Sequence, residues 1–219
     1  MAVAAQRDPG AKTDRPLFSR LESEGGDIEI GIVGTGVQAR LQVEALASIR
    51  RLASVRVWGR DHVRAVALAA SIWNELGVAG RPAMTVEELV SQIDVVVTAT
   101  ASRRALVLGE WLRPGQHLTA LGADDDSKRE LDSHCFARAD RLFVDSRTQT
   151  TTIAEIGAAL REGVIELGAI SGELGELLDG GVAGRERRNQ ITIAKLSGIG
   201  VQDLAAAELV TRSIGVDAR

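Results

Sequence analysis

The feature that most constrains this chain is a short apolar strand followed by closely spaced small residues. The segment Ile30–Val33 runs into Gly34, Gly36 and Ala39, and an amphipathic helix pattern comes after them. Gly34 permits a tight turn, Gly36 lets a phosphate approach the backbone, and Ala39 lets the helix pack close to the strand. The first turn of such a helix offers unpaired N–H groups to an anion. The pattern therefore predicts a dinucleotide-binding turn in a parallel α/β sheet.

The composition is that of an ordinary globular protein and argues against several other classes. Of the 219 residues, 45% are hydrophobic and 26% are charged, and the formal net charge is −4. An acidic balance argues against a nucleic-acid partner, which usually requires a basic surface. The chain has one cysteine, and no apolar run approaches the roughly 20 residues that span a bilayer. We therefore expect a cytoplasmic protein without a disulfide framework, a metal site or a membrane segment.

Strand-like and helix-like segments alternate along the chain from Ile28 onward. Strands are predicted at Ile28–Val33, Val55–Trp58, Asp94–Thr98, His117–Leu121, Leu142–Asp145 and Gln190–Ala194. Helices are predicted at about 36–53, 61–77, Val86–Ser91, Ile153–Glu162, Glu173–Leu178 and Gln202–Thr211. This alternation predicts a Rossmann-type doubly wound, mostly parallel sheet with helices on both faces. Residues 1–26 are expected to form a poorly ordered lead-in, 27–212 the dinucleotide-binding domain and 213–219 a tail.

The end of the second predicted strand bears on which nicotinamide cofactor is preferred. Sites for NAD usually carry an acidic residue about 20 residues beyond the glycines, where it binds the ribose 2′-hydroxyl. Here Arg60 follows the strand and Asp61 comes next. A guanidinium binds a phosphate with two parallel hydrogen bonds, so Arg60 favours NADP(H), unless it is only a solvated loop residue. NAD(H) remains the alternative because of Asp61, although an N-cap role suits that residue better.

The loop after the predicted strand Asp94–Thr98 is rich in small and hydroxyl-bearing residues. It reads Ala99, Thr100, Ala101 and Ser102. At the carboxyl end of a parallel strand, such side chains line the ribose next to the nicotinamide. Simple turn and capping chemistry explains the same residues equally well, so the sequence leaves both interpretations open.

An acidic block follows the predicted strand His117–Leu121. Asp124, Asp125 and Asp126 stand in a row, and Lys128 comes shortly after them. Carboxylates this close repel one another, and burial of one of them would raise its pKa and suit it to acid–base catalysis. Two other interpretations remain open. One is a loop for Ca²⁺ or Mg²⁺, although no EF-hand spacing follows, and the other is a solvated helix N-terminus.

Further motifs extend along almost the whole chain in a fixed order. They are Gly34–Arg40, Val55–Arg60, Asp94–Thr100, Trp111–Gly115, Gly122–Asp124 with Lys128–Leu131, Gln190–Ile193 and Val201–Ala207. Together they resemble the ornithine cyclodeaminase and mu-crystallin family over about residues 28–212. The resemblance implies an NAD(P)-dependent enzyme that acts on an amino acid or a cyclic imine, by imine reduction or by cyclodeamination.

The resemblance also implies roles for individual residues. Asp124 matches the catalytic acid, Lys128 matches a residue that contacts the cofactor, and Arg60 matches the NADP-type branch. The other implied cofactor contacts are Gly34, Thr35, Gly36, Val37, Gln38, Thr100, Ala101 and Leu121.

The chain also departs from the family pattern. In the family that the chain resembles, a substantial N-terminal portion precedes this region. That portion supplies basic residues for the substrate carboxylate and most of the homodimer interface. Here the glycine turn already lies at residue 34. We therefore expect a truncated or separately encoded cofactor domain with much of the dimer surface missing. A non-catalytic dinucleotide-binding module is the alternative function, and the identity of the small-molecule substrate stays open.

Overall fold

The structure is a computed structural model that describes residues 27–152 and 154–213. The predicted lead-in and residues 214–219 of the predicted tail lie outside the described residues. Within the described part, eight strands form a wholly parallel sheet. They are β1 (Ile28–Val33), β2 (Leu52–Trp58), β3 (Ala79–Pro82), β4 (Val95–Thr98), β6 (His117–Ala120), β8 (Arg141–Val144), β9 (Ile170–Glu173) and β10 (Thr192–Lys195). Two more strands, β5 (Arg103–Val107) and β7 (Arg129–Leu131), form a separate parallel pair.

Eight α-helices lie in the described residues and connect these strands. They are α1 (Val37–Ile49), α2 (His62–Leu76), α3 (Val86–Gln92), α4 (Ser133–Ala137), α5 (Arg147–Thr150), α6 (Ala154–Arg161), α7 (Leu174–Leu178) and α8 (Gly200–Ser213). None of them is long and apolar enough to cross a membrane.

The sheet has a point at which the strand order reverses. Its order is β3-β2-β1-β4-β6-β10-β8-β9, so the chain moves outward from β1 to β3 and then returns to β4 on the other side of β1. The carboxyl ends of β1 and β4 therefore form the topological switch point. In doubly wound sheets, ligands bind in the crevice at this switch point. The predicted Rossmann-type sheet is thus confirmed.

Two apolar clusters cover the two faces of the sheet. Ile30 and Ile32 of β1 belong to the cluster that packs against α1 and α2. Val33 of β1 and Val96 of β4 belong to the other cluster, with residues of α3, α4 and α6. This division follows from the alternation of side chains along a strand. Because both faces are buried, β4 and the second half of β1 are apolar almost throughout.

The predicted length of the first helix is wrong. We expected that helix to continue to Ala53, but it ends at Ile49. Arg50 is already extended, with φ of −142° and ψ of 148°, and Leu52 pairs with Ile28 of β1. Tertiary pairing with β1 therefore outweighs the helical pattern in these last residues.

Candidate functional site

The turn after β1 is fixed on both sides by its neighbours. Gly34 has a φ of +134°, and a side chain there would overlap the carbonyl oxygen of Ala99, in the loop after β4. The Gly34 N–H donates to the carbonyl of Trp58, at the end of β2, over 2.8 Å. Both the conformation and the close approach therefore require glycine at this position.

The N-terminus of α1 is open beside this turn. Gly36 precedes α1, no side chain caps that end of the helix, and no atom lies within 4 Å of the place where a Gly36 Cβ would stand. Ala39 is buried, whereas Val37 and Gln38 are exposed in the first turn. A groove of about 380 Å³ runs along it, lined by Thr35, Gly36, Val37, Arg40, Arg64, Ala67, Leu68 and Ser71. This open space with free N–H groups fits a phosphate, and a side chain at Gly36 would fill it.

The end of β2 lies next to the same turn. A Cβ at Gly59 would collide with the Thr35 methyl group, so the Thr35 side chain packs directly on Gly59. Arg60 follows and is exposed. Asp61 caps α2, since its carboxylate accepts hydrogen bonds from the N–H groups of Val63 at 3.0 Å and Arg64 at 3.4 Å. The N-cap role expected for Asp61 is confirmed, and it leaves Arg60 as the cation at the end of β2.

The loop after β4 is held by a buried carboxylate that the sequence interpretation did not single out. Glu130 is fully buried and accepts hydrogen bonds from the Thr98 hydroxyl at 2.8 Å, the Thr100 N–H at 2.6 Å and the Gly122 N–H at 2.7 Å. Ala101 is exposed in this loop. Glu130 thus ties the loop after β4 to the turn after β6, and only its place in a motif pointed to it.

The turn after β6 starts at half-buried Leu121, whose N–H donates to the Thr98 carbonyl over 3.1 Å. Gly122 then packs directly on the Thr100 backbone, where any side chain would overlap it. The turn therefore reaches the acidic block in close contact with the loop after β4.

The acidic block is an exposed turn. Asp124, Asp125 and Asp126 are all exposed. Asp124 is ion-paired with Lys128, whose ammonium also lies 3.5 Å from Asp125. The hydrogen bond to Asp124 raises the pKa of Lys128, and hydrogen bonds from Ser127 lower the pKa of Asp125. The burial that would raise the pKa of one of these carboxylates is therefore not found, since all three are exposed.

The structure also bears on the two other interpretations of the acidic block, a helix N-terminus and a loop for Ca²⁺ or Mg²⁺. The segment 124–128 leads through a turn into β7, so the interpretation as a helix N-terminus is wrong. Within residues 27–152 and 154–213, no group of three or more His, Cys, Asp or Glu side chains could hold a metal ion. The Ca²⁺ or Mg²⁺ loop has no support in this part of the chain.

The structure brings the predicted residues to one edge of the sheet, in the order of the strands. Arg60 lies at the end of β2, the segment Gly34–Gln38 after β1, Thr100 and Ala101 after β4, and Leu121, Asp124 and Lys128 after β6. Carboxyl ends of parallel strands share an edge, which explains why residues far apart in sequence meet there.

Comparison with known proteins identifies the same family that the sequence motifs resemble, over nearly the whole described chain. The model of the ornithine cyclodeaminase/mu-crystallin family matches residues 24–216. An uncharacterized cyclodeaminase of Sinorhizobium fredii is 43% identical over 178 residues, which are 81% of this chain and 54% of that relative.

Two solved structures extend the comparison. The Thermococcus litoralis Δ¹-pyrroline-2-carboxylate reductase, in complex with NADH and L-proline, is 30% identical with a TM-score of 0.81, covering 88% of this chain and 61% of the other. An archaeal alanine dehydrogenase dimer with bound NAD is 31% identical with a TM-score of 0.80, covering 88% and 60%. The chain spans little more than half the length of the curated relatives it matches. By its glycine turn, its acidic turn and this match, the chain belongs to the ornithine cyclodeaminase/mu-crystallin family.

Proposed function

We propose that this chain carries the nicotinamide-dinucleotide site of an enzyme that transfers hydride at a carbon bearing nitrogen. The substrate class is an amino acid or a cyclic imine, and the reaction is imine reduction or cyclodeamination. One observation carries the proposal. The open N-terminus of α1 and the exposed Asp124–Lys128 pair share the edge of the sheet at its switch point. A phosphate-binding turn and an acid–base group on one edge are what such chemistry requires.

The residues at the switch point suit a bound dinucleotide. The Gly34–Gln38 segment and the N-terminus of α1 would hold the pyrophosphate, while Thr100, Ala101 and Leu121 would line the nicotinamide side. Arg60 would hold a 2′-phosphate, which favours NADP(H), with NAD(H) as the alternative. When bound, the nicotinamide gives or takes the hydride. The relatives from Thermococcus litoralis and the archaeal dehydrogenase are described with NADH and NAD, which supports a cofactor of this type.

The chain itself would handle the proton. Asp124 is exposed at the end of the turn after β6, where a carboxylate can give or take a proton at the substrate nitrogen. Its carboxylate is ion-paired with Lys128. The buried Glu130 keeps this turn against the loop that would face the nicotinamide.

A non-catalytic dinucleotide-binding module is the second candidate. It is favoured by the share of the relatives that the chain spans, 54% for the Sinorhizobium fredii protein.

Dimer formation, which the archaeal relative shows, is a further proposal for this chain. Sedimentation of the purified protein tests it directly.

The binding site is tested by titrating the chain with NADPH and with NADH, followed by nicotinamide fluorescence. We expect Arg60→Ala to raise the Kd for NADPH about 10-fold and to leave the Kd for NADH unchanged, since a lost charge-assisted contact costs about 1.5 kcal/mol or more. Arg187→Ala is the matched control, because Arg187 is also exposed but precedes the amino end of β10. Equal effects of Arg60→Ala on both nucleotides would refute the 2′-phosphate contact. Tighter binding of NADH than of NADPH would favour NAD(H), and no binding of either would refute the site.

Catalysis is tested with Δ¹-pyrroline-2-carboxylate and NADPH. We expect Asp124→Asn to lower kcat at least about 100-fold while NADPH still binds, because acid–base catalysis contributes about that much. Asp125→Asn is the control, since it removes a neighbouring exposed carboxylate. A wild-type chain that binds NADPH but turns over no imine would instead support the binding module.

A further inference from the structure

A fully buried lysine ends β10, directly behind the acidic turn. The Lys195 side chain has no exposed surface. Its ammonium donates to the carbonyl of Ala123 over 2.6 Å and to that of Leu196 over 3.0 Å, and it lies 3.7 Å from the Glu155 carboxylate. Burying a charge is costly unless partners surround it, so this arrangement requires all three groups. One of them, Ala123, is the residue that immediately precedes Asp124.

Glu155 completes the arrangement from α6. One oxygen accepts hydrogen bonds from the backbone N–H groups of Glu130 and of Leu131, the latter at 2.6 Å. The other oxygen is buried and has no hydrogen-bond partner in the described structure, and it faces Lys195. The pair therefore links α6 and β7 to β10.

Two backbone groups shortly before Asp124 are thus bound by buried charged side chains. The Gly122 N–H donates to the Glu130 carboxylate over 2.7 Å, and the Ala123 carbonyl accepts from Lys195 over 2.6 Å. Asp124 itself is exposed, and its described side-chain contact is with Lys128. The direction in which Asp124 leaves the sheet is therefore set by its backbone.

We propose that Lys195 is a positioning residue that fixes the backbone from which Asp124 projects, with Glu155 as its buried counter-charge. The proposal deepens the proposed function and rests on it for the role of Asp124. The carboxylates that face Lys195 are Glu155, Glu130, Asp145 and Asp124. Nothing in the local pattern of β10 marks Lys195, since a lysine at a strand end is ordinarily exposed.

The state of this pair depends on pH. Burial raises the pKa of Glu155 to about 7, and burial lowers the pKa of Lys195. Glu130 and Cys135 also face Glu155. Below about pH 7 Glu155 takes up a proton and Lys195 loses its counter-charge. The Ala123 carbonyl should then be held differently, so the backbone at Asp124 reports the protonation of a side chain that it does not touch.

The first test is a pH titration of the full chain followed by backbone amide NMR. In the wild type, the Ala123 and Asp124 amides should titrate with a midpoint near 7. Glu155→Gln should remove this midpoint, because the variant side chain does not ionise. Absence of this midpoint from the wild type, or its persistence in Glu155→Gln, would overturn the proposal.

The second test uses Lys195→Met, which keeps an unbranched side chain of similar length and removes the ammonium. We expect kcat for imine reduction to fall about 100-fold, as for a misplaced catalytic group, with the Kd for NADPH changed less than about 3-fold. Lys195→Arg should restore part of kcat, and Arg187→Met controls for loss of one positive charge. Wild-type kcat and wild-type amide shifts in Lys195→Met would overturn the proposal.

The two experiments distinguish failure of the Lys195 proposal from failure of the proposed function. If the wild-type chain binds neither NADPH nor NADH, the proposed function fails, while the amide titration needs no cofactor and still decides the role of Lys195. If Lys195→Met does not fold, the Glu155→Gln titration decides it in the same way.

Discussion

The two halves of the sheet position the residues of the candidate site, at the carboxyl ends of the strands, by different physical means. In the half with β1, β2, α1 and α2, the turn depends on glycines: Gly34 adopts a φ of +134° and Gly36 leaves open space. In the half with β6, β8 and β10, the loops are held by buried charges, namely Glu130, Glu155 and Lys195. The first half positions its turn through residues that lack a side chain, and the second half positions its loops through charged side chains that are buried.

This difference has a consequence for how far each half depends on distant residues. The β1 turn and α1 lie within one short stretch of sequence. The contact between Lys195 and Ala123 joins residues 72 positions apart, and that between Glu155 and Leu131 joins residues 24 apart. Gly34 also meets distant residues, Trp58 and Ala99. Glu130, however, binds donors from two loops at once, so a change in the charged half should spread to several loops.

The largest expected effect is at Gly34. Gly34→Ala introduces both an unfavourable φ and an overlap with the Ala99 carbonyl, so we expect a loss of about 3 kcal/mol in the free energy of unfolding. NADPH binding should be lost as well. Denaturant unfolding and fluorescence titration measure the two effects.

Gly77→Ala is the matched control for Gly34→Ala. Gly77 also has a positive φ, +67°, but no atom lies within 4 Å of its Cβ position. We expect a cost of about 1 kcal/mol with unchanged NADPH binding. Equal losses for the two variants would show that the contact with Ala99 contributes nothing.

The next effect concerns Glu130 in the charged half. Glu130→Gln turns one acceptor oxygen into a donor that faces the N–H groups and hydroxyl now bound to the carboxylate, which should cost about 2 kcal/mol. Because these donors lie in two loops, amide hydrogen exchange should rise both after β4 and after β6.

Glu162→Gln serves as the control for Glu130→Gln. Glu162 is 45% exposed and pairs with Arg129 at 3.1 Å, so its loss should cost less than about 1 kcal/mol. Faster exchange confined to one of the two loops in Glu130→Gln would contradict the bracing role of Glu130.

A smaller effect is the pH dependence of stability that Glu155 contributes. Its pKa is raised from 4.5 to about 7 in the folded chain, so between these values the folded state binds the extra proton. This contribution to stability is fully present below the unfolded pKa and is lost as pH rises through about 7. It should exceed about 1 kcal/mol, since one pKa unit corresponds to about 1.4 kcal/mol.

Thermal unfolding of the wild type and of Glu155→Gln across this range measures that contribution by difference. The difference is needed because burial lowers the pKa of His117 to about 4, which makes stability fall with falling pH. A difference curve that is flat between pH 4.5 and 7 would contradict the raised pKa of Glu155.

The smallest expected effect on stability is at Gly36. Aspartate is a favourable N-cap residue and the Cβ position is open, so Gly36→Asp should change the free energy of unfolding by less than about 0.5 kcal/mol. NADPH binding should nevertheless be abolished, because the new carboxylate would occupy the phosphate position and repel it. Gly36→Asn, of the same size without the charge, should weaken binding less. Unchanged NADPH affinity in Gly36→Asp would place the pyrophosphate elsewhere.

Much of the glycine half was predictable because its signals are local. The bounds predicted for β1 are those observed, and the α2 helix agrees to within a residue at each end. The end of α1 was not predicted, because pairing of Leu52 with Ile28 overrides a helical pattern. The short strands β3, β5, β7 and β9 were missed because segments of three to five residues carry too little periodicity.

The sequence by itself determined the parallel sheet, the turn from β1 into α1, and the set of residues at the ends of β2, β4 and β6. Local rules suffice there, since glycine conformation, side-chain alternation and helix capping act over a few residues. Only the tertiary structure decided that β10 lies between β6 and β8 and that Glu130, Glu155 and Lys195 are buried together. Charged side chains are stable inside a protein only with partners, and these partners come from distant parts of the chain.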